Sequence, residues 1–289
     1  MEAALRDVVL QRGLVDETGA RHRRAALRPL TGREEADLGV RSGATAASRL
    51  LAACVVRLGG YRDVGEAHVA ALSRGDRWRL ALGLRQLMVG DQLVLTLTCP
   101  DPDCRQPADL VVRVSDLLGA PGEAEAEEFE VGTEDGPVHL RPPTGLDDEA
   151  CEAAGGGRDE QSDLLWSRLV LDVGGLGPVD GDGWRGLRAA TRQAVAGALA
   201  ELDSLLDLSF VSACPECGAW IEVELDPFEL LARELGLGAG RLLAEVHCLA
   251  FHYGWSEDAI LDLPRTRRWS YLELLRNQLE GRPLGDHWS

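Results

Sequence analysis

The chain has 289 residues, 45% of them hydrophobic and 27% charged, a balance typical of folded globular proteins and a length sufficient for two ordinary domains. Forty-eight acidic against thirty basic side chains leave a net charge of −18, which argues against a nucleic-acid phosphate surface and against docking on anionic lipid. No run of about 18 apolar residues suggests a transmembrane helix. The N-terminus, MEAALRDVVLQRG, lacks the apolar centre and cleavage site of a signal peptide, so the expected location is the cytoplasm. Thiols stay reduced there, and seven cysteines, an odd number, then point to metal binding or core packing rather than a disulfide framework.

In chain order, Leu27-Arg28-Pro29-Leu30-Thr31-Gly32 is the first of a series of segments that recur later at a nearly constant offset. It returns as Leu140-Arg141-Pro142-Pro143-Thr144-Gly145. LLAACVVRLGG, from Leu50, returns as LLWSRLVLDVGG, from Leu164. The alternating strand LVLTLTC ending at Cys99 returns as LSFVSAC ending at Cys214. A second strand follows each, ADLVVRV from Ala108 and AWIEVEL from Ala219, and then an apolar helix start, SDLL and DPFELL. Five matches in one order indicate an internal duplication, with copies at 20–118 and 135–226.

Each unit is expected to contain a first strand, a capped helix, two amphipathic helices and a cysteine-bearing β-hairpin. Thr31 with Glu34, and Thr144 with Asp147, have the capping-box spacing at the first helix. The expected divisions are 1–118, the first unit with an N-terminal extension; 119–134, an acidic linker containing the short strand EFEV; 135–226, the second unit; and 227–289, a helical C-terminal arm. The arm has no counterpart in the first copy. It reads as a long helix from Phe228 to about His252, a turn at Gly254-Trp255, a short helix after Ser256, a break at Pro264 and a last helix to about Leu279. The fold class is α+β.

Cys99 and Cys104 bracket a turn of four residues, and Cys214 and Cys217 form a Cys-x-x-Cys-Gly knuckle. Both lie at hairpin tips, where two thiolates converge and backbone N–H groups support the sulfurs. One pair cannot complete a tetrahedron, but two can if the units pack with their tips together. The expected cofactor is one structural zinc held by Cys99, Cys104, Cys214 and Cys217, with no coordination position left for water. Two disulfides, a redox Cys-x-x-Cys or knuckles that no longer bind metal are the alternatives. Cys54, Cys151 and Cys248 lie in helical apolar patterns and read as core residues.

Other signals are weaker. His247 and His252 are five residues apart and do not share a helix face. Gly236–Gly240 follows no strand, as a dinucleotide loop requires, and Asp180-Gly181-Asp182-Gly183 lacks the remaining ligands of a calcium loop and reads as a flexible turn. No nucleophile elbow or Cys–His signature is visible, so the chain reads as non-enzymatic. In the arm an apolar stripe suggests packing on the units or a docking surface. Trp255 and Trp269 flank Arg265, Arg267 and Arg268, a basic patch of hot-spot residue types in an acidic protein.

The patterns LRPLTGREE, VVRLGG, LRQLMVGDQL and CPDPDC, then CPECGAW with DPFELL, and the tail EVHCLAFHYGWSEDAILDLPRTRRWSYLELL resemble the baseplate-associated proteins of T4-type contractile phages and related extracellular contractile injection systems. The resemblance covers nearly the whole chain, although the first knuckle is two residues longer than the second. It implies a non-enzymatic structural or assembly role at the baseplate hub, with hub, spike or tube proteins as partners and incorporation into a phage-tail-like particle as one outcome. A zinc-ribbon adaptor in another cellular complex and an enzyme with a site between the two halves are the rival readings.

Overall fold

A computed structural model describes residues 5–38, 43–119, 126–202, 205, 208–236 and 239–282; residues 120–125 of the expected linker, and 237–238 of the glycine-rich stretch, lie outside them. The protein is α+β, with four small antiparallel sheets separated by helices.

The first half begins with β1 (Arg6–Val15), β2 (Arg21–Leu27) and β3 (Val55–Leu58), which form one three-stranded sheet in that order. Between β2 and β3 lie α1 (Gly32–Leu38) and α2 (Ala44–Cys54); α3 (Glu66–Ala70) and α4 (Arg74–Met88) follow. The N-terminal segment, expected as an extension, is thus a strand of the first sheet. The pairing of β1 with β2 is interrupted between Val9 and Leu14. There the backbone N–H groups of Gln11, Arg12 and Gly13 donate to the buried carboxylate of Asp76, at 2.6, 3.0 and 2.7 Å. Asp76 lies in the first turn of α4, where the helix dipole also favours an anion. One side chain therefore fastens α4 to the bulged strand and satisfies the amides that the bulge leaves unpaired.

The second half runs through the same order of elements. A three-stranded sheet is built from β6 (Phe129–Thr133), β7 (Gly136–Leu140) and β8 (Val170–Val173), with α6 (Gly145–Ala154) and α7 (Arg158–Leu169) between β7 and β8; α8 (Gly181–Gly186) and α9 (Ala189–Leu202) come next. The registers correspond: the irregularity at Leu27–Val55 on β2–β3 has its equal at Leu140–Val170 on β7–β8. The EFEV strand expected inside a linker is β6, an edge strand of this second sheet. The expected flexible turn at Asp180 is instead a helix start: its carboxylate accepts the Gly183 N–H at 2.7 Å and caps α8.

The recurring Leu-Arg-Pro-x-Thr-Gly motif has a local cause. In the first half Arg28 pairs with Glu34 through both guanidinium branches, and the same carboxylate accepts from the Thr31 N–H (2.8 Å) and hydroxyl (3.0 Å). In the second half Arg141 grips Asp147 at 2.7 and 2.8 Å, and Thr144 donates from its N–H and hydroxyl, each at 2.9 Å. The motif is a clasp that turns a strand into a helix and fixes the angle between them.

Each half then carries its hairpin: β4 (Gln92–Thr98) with β5 (Pro107–Arg113), leading into α5 (Val114–Leu118), and β9 (Ser209–Ala213) with β10 (Trp220–Glu224), leading into α10 (Pro227–Leu235). The arm comprises α11 (Ala239–Tyr253), α12 (Glu257–Leu261) and α13 (Arg265–Leu279). The single helix expected from Phe228 to His252 is two helices. Gly236, in the left-handed region at φ 53°, caps α10, and α10 belongs to the core of the first half through Leu231 and Leu235.

The arm is where the structure departs furthest from expectation. Arg265 and Arg268 are not a surface patch; they are 2% and 0% exposed. Arg265 donates to Glu35 at 2.5 Å, and Arg268 donates to Glu35 at 2.7 Å and to Glu245 at 3.2 Å. The Trp269 ring N–H donates to Glu245 at 2.9 Å, and its face receives the Arg265 guanidinium 4.5 Å from the ring centre. Only Arg267 of the three arginines is exposed. Paired and hydrogen-bonded in this way, the buried charges anchor the arm to α1.

Candidate metal centre

The two hairpins pack face to face. Leu93 and Leu95 of β4 meet Leu208, which precedes β9, and Leu225, which follows β10; Leu97, Leu110, Phe210 and Val223 lie at the margin. Alternation along β4 sends Leu93 and Leu95 inward while Val94 stays on the outer face, 49% exposed. This apolar contact aligns the two tips, and at its end Cys99, Cys104 and Cys214 cluster with Ile221, Ala108 and Ala219.

All four expected ligands come together. The sulfurs of Cys99, Cys104, Cys214 and Cys217 lie within 4.8 Å of one another. Cys99 Sγ is 3.5 Å from Cys217 Sγ, and Cys104 Sγ is 3.9 Å from Cys214 Sγ, and both contacts run between the hairpins. Four thiolates about 2.3 Å from a central metal are roughly 3.8 Å apart at the corners of a tetrahedron. The four cysteines are free, and the 3.5 and 3.9 Å contacts bracket that spacing. An all-sulfur tetrahedron suits zinc or iron and leaves no site for a reacting water.

The knuckles share one backbone plan despite their different lengths. The Cys99 N–H donates to the Gln106 carbonyl at 3.0 Å, and the Cys214 N–H to the Ala219 carbonyl at 2.8 Å. The residue after each second cysteine is left-handed: Arg105 at φ 51° and Gly218 at φ 78°. Arg105 is the only non-glycine residue with positive φ among the described residues. The two extra residues of the first knuckle are taken up by a turn in which the Asp103 N–H donates to the Asp101 carboxylate at 2.9 Å.

Backbone amides also supply the electrostatics. The N–H groups of Cys217 and Glu216 hold the Cys214 thiol down to about 7, against the pull of burial. Burial and the neighbouring thiols push Cys99 up to about 12, although the Asp101 N–H opposes this. The Gln106 N–H lowers Cys104, but burial together with Cys217 and Cys214 outweighs it and leaves this thiol raised. Four thiols this close resist becoming four thiolates unless a cation sits among them. The donor set therefore fits a divalent metal.

Among the described residues this is the one convergent group of three or more His, Cys, Asp or Glu side chains. Of the other cysteines, only Cys54 is fully buried, and burial raises its thiol; Cys151 and Cys248 are half-buried. His247 and His252 lie on the surface of α11. Among the described residues no helix is long and apolar enough to cross a membrane. The matching helix-sheet order had a visible signal in the repeats, whereas the arginine anchors of the arm had none, because their carboxylate partners are remote in sequence. Compared with known protein families, curated proteins and solved structures, the chain matches none.

Proposed function

We propose that the protein is a non-enzymatic structural or assembly component of a contractile-tail baseplate, built from two copies of one unit and stapled by a single zinc. The observation that carries the structural part is the four-sulfur cluster shared by two hairpins from distant parts of the chain. A closed thiolate site provides no open position for catalysis. It does provide cross-linking, and zinc binding to such peptides is worth roughly 10–16 kcal/mol, comparable to the whole stability of a domain. Four sulfurs alone suit zinc or iron, and we favour zinc because the site is closed and cross-links two distant hairpins, as structural zinc sites do. The baseplate assignment rests on the sequence resemblance given above. Its partners are hub, spike or tube proteins, and the acidic surface suits protein partners rather than nucleic acid.

The test mixes the purified full-length chain with purified hub, spike and tube proteins of a contractile injection system and, separately, with duplex DNA and RNA. A stable complex with one of the particle proteins, seen as co-elution on size exclusion, is the expected result. Binding to nucleic acid with no complex among the particle proteins would instead favour the zinc-ribbon adaptor.

A further inference from the structure

The helix pair α12–α13 repeats α3–α4 in length and in register. Both pairs have 5 and 15 residues. Aligned without gaps, Glu66 falls on Glu257, Val69 on Ile260, Leu72 on Leu263, Arg74 on Arg265, Arg77 on Arg268, Trp78 on Trp269, Leu84 on Leu275 and Arg85 on Arg276. Burial follows the same register: Val69 and Ile260 are both 0% exposed, and Arg77 and Arg268 are 1% and 0%. The helices before them share Arg-Leu-Leu-Ala, at 49–52 in α2 and 241–244 in α11.

The two pairs also do the same thing. The Arg74 N–H donates to the Pro143 carbonyl at 2.8 Å, and the Arg265 N–H donates to the Leu30 carbonyl at 2.8 Å. Leu30 and Pro143 are corresponding residues of the recurring motif. Ser73 bridges Thr144 as Pro264 bridges Thr31. A Cβ added at Gly145 would fall 2.1 Å from the Arg77 guanidinium, and one at Gly32 would fall 3.1 Å from that of Arg268. The motif's glycine thus lets the backbone lie against a buried arginine. Finally, Arg74 pairs with Asp148 at 3.1 Å, and Arg265 pairs with Glu35 at 2.5 Å; Glu35 and Asp148 again correspond.

We propose that the arm is a third copy of the helical half of the unit, without its sheet. Its binding partner is the Thr31–Gly32 turn of the first unit, recognised by the same contact through which α3–α4 hold the second unit. The inference rests on reading the two halves as copies, and it corrects the expectation that the arm has no counterpart. In place of strands the arm has an aromatic cluster. Trp255 lies 5.0 Å from Tyr253 and 4.8 Å from Tyr271 between ring centres, and Tyr271 occupies the position of Leu80, a core residue of the first unit. The contact is head-to-tail, so the molecule is a stack of arm, first unit and second unit. In α8–α9 the position of Arg74 is Ala189 when Val69 is matched to Trp184, so the stack ends there.

Amide hydrogen exchange on the full-length chain tests this. The first amides of a helix ordinarily exchange fast because they have no intrahelical partner. Docking should protect those of Arg74 and Arg265. Glu35→Ala should speed exchange at Arg265 by about tenfold or more and leave Arg74 unchanged; Asp148→Ala should do the reverse. Replacing residues 257–279 with the sequence of 66–88 should preserve protection at position 265, while the same graft displaced by two residues should abolish it. Unchanged exchange at Arg265 in Glu35→Ala, or an in-register graft as unprotected as the displaced one, overturns the inference. Unchanged exchange at Arg74 in Asp148→Ala overturns instead the equivalence of the two halves.

Discussion

In the first half α4 is buried along most of its length, with Leu80, Ala81, Leu82 and Leu84 all 0% exposed, because β1 covers one side of it and α10 another. In the second half the helix in the same place in the order, α9, buries only Thr191 and Val195, against its own sheet. The clasps differ in the opposite sense. Glu34 is 22% exposed with one arginine, whereas Asp147 is fully buried between Arg141 and Arg168. The same order of elements is therefore held by a broad leucine core in the middle of the molecule and by a small core with a stronger ionic clasp at its end. Where each half sits in the molecule, rather than its order of elements, decides which force carries the stability.

The largest expected contrast is at the clasps. Asp147→Ala strands Arg141, Arg168 and the Thr144 amide, and should cost about 3–5 kcal/mol in urea unfolding; Glu34→Ala should cost roughly 1 kcal/mol. Equal costs would mean that burial of the carboxylate is not what distinguishes the units. In the cores the order reverses. Leu84→Ala should cost about 2–5 kcal/mol, and Val195→Ala about 1–2 kcal/mol, measured the same way.

Acid sharpens the comparison further. Burial pushes the Asp147 carboxyl up, but its bonds from Arg141 and from the Thr144 amide outweigh this and hold it at about 2. The folded value thus lies below the unfolded one of about 3.9. The stabilisation is complete above pH about 4 and lost as pH falls from there toward 2, an effect of about 2 kcal/mol. The stacked pair Trp166–Trp184, 4.6 Å between ring centres, lies in the second unit. Its near-ultraviolet dichroism should fade over that range in the wild type, and Asp147→Asn should remove the dependence. The smallest effect is at the knuckles. Arg105→Gly should stabilise the chain by up to about 1 kcal/mol, because it relieves a left-handed non-glycine residue. Gly218→Ala should destabilise it by a similar amount, both read from thermal midpoints.

The four-cysteine cluster was legible in the sequence because hairpin tips are local structures and paired cysteines at such tips point to one another. The order of elements was legible through the repeats. The split of the long arm helix also had a local signal, in the Gly-Leu-Gly-Ala-Gly stretch. The fate of Arg265 and Arg268 had none. An arginine's burial depends on a carboxylate brought to it by the fold, and Glu35 lies at the other end of the chain. Asp76 is similar: nothing near it in sequence indicates that it will receive three amides from a bulged strand. Local geometry can be read from spacing, whereas long-range pairing of polar groups has to be seen.

Metal content of the purified full-length chain, with each cysteine pair replaced by serine in turn, tests the central claim most directly. The account predicts about one zinc per chain, lost when either Cys99 and Cys104 or Cys214 and Cys217 are replaced. Zinc that survives the loss of one pair, or none in protein prepared without chelators, would contradict a site shared between the two hairpins.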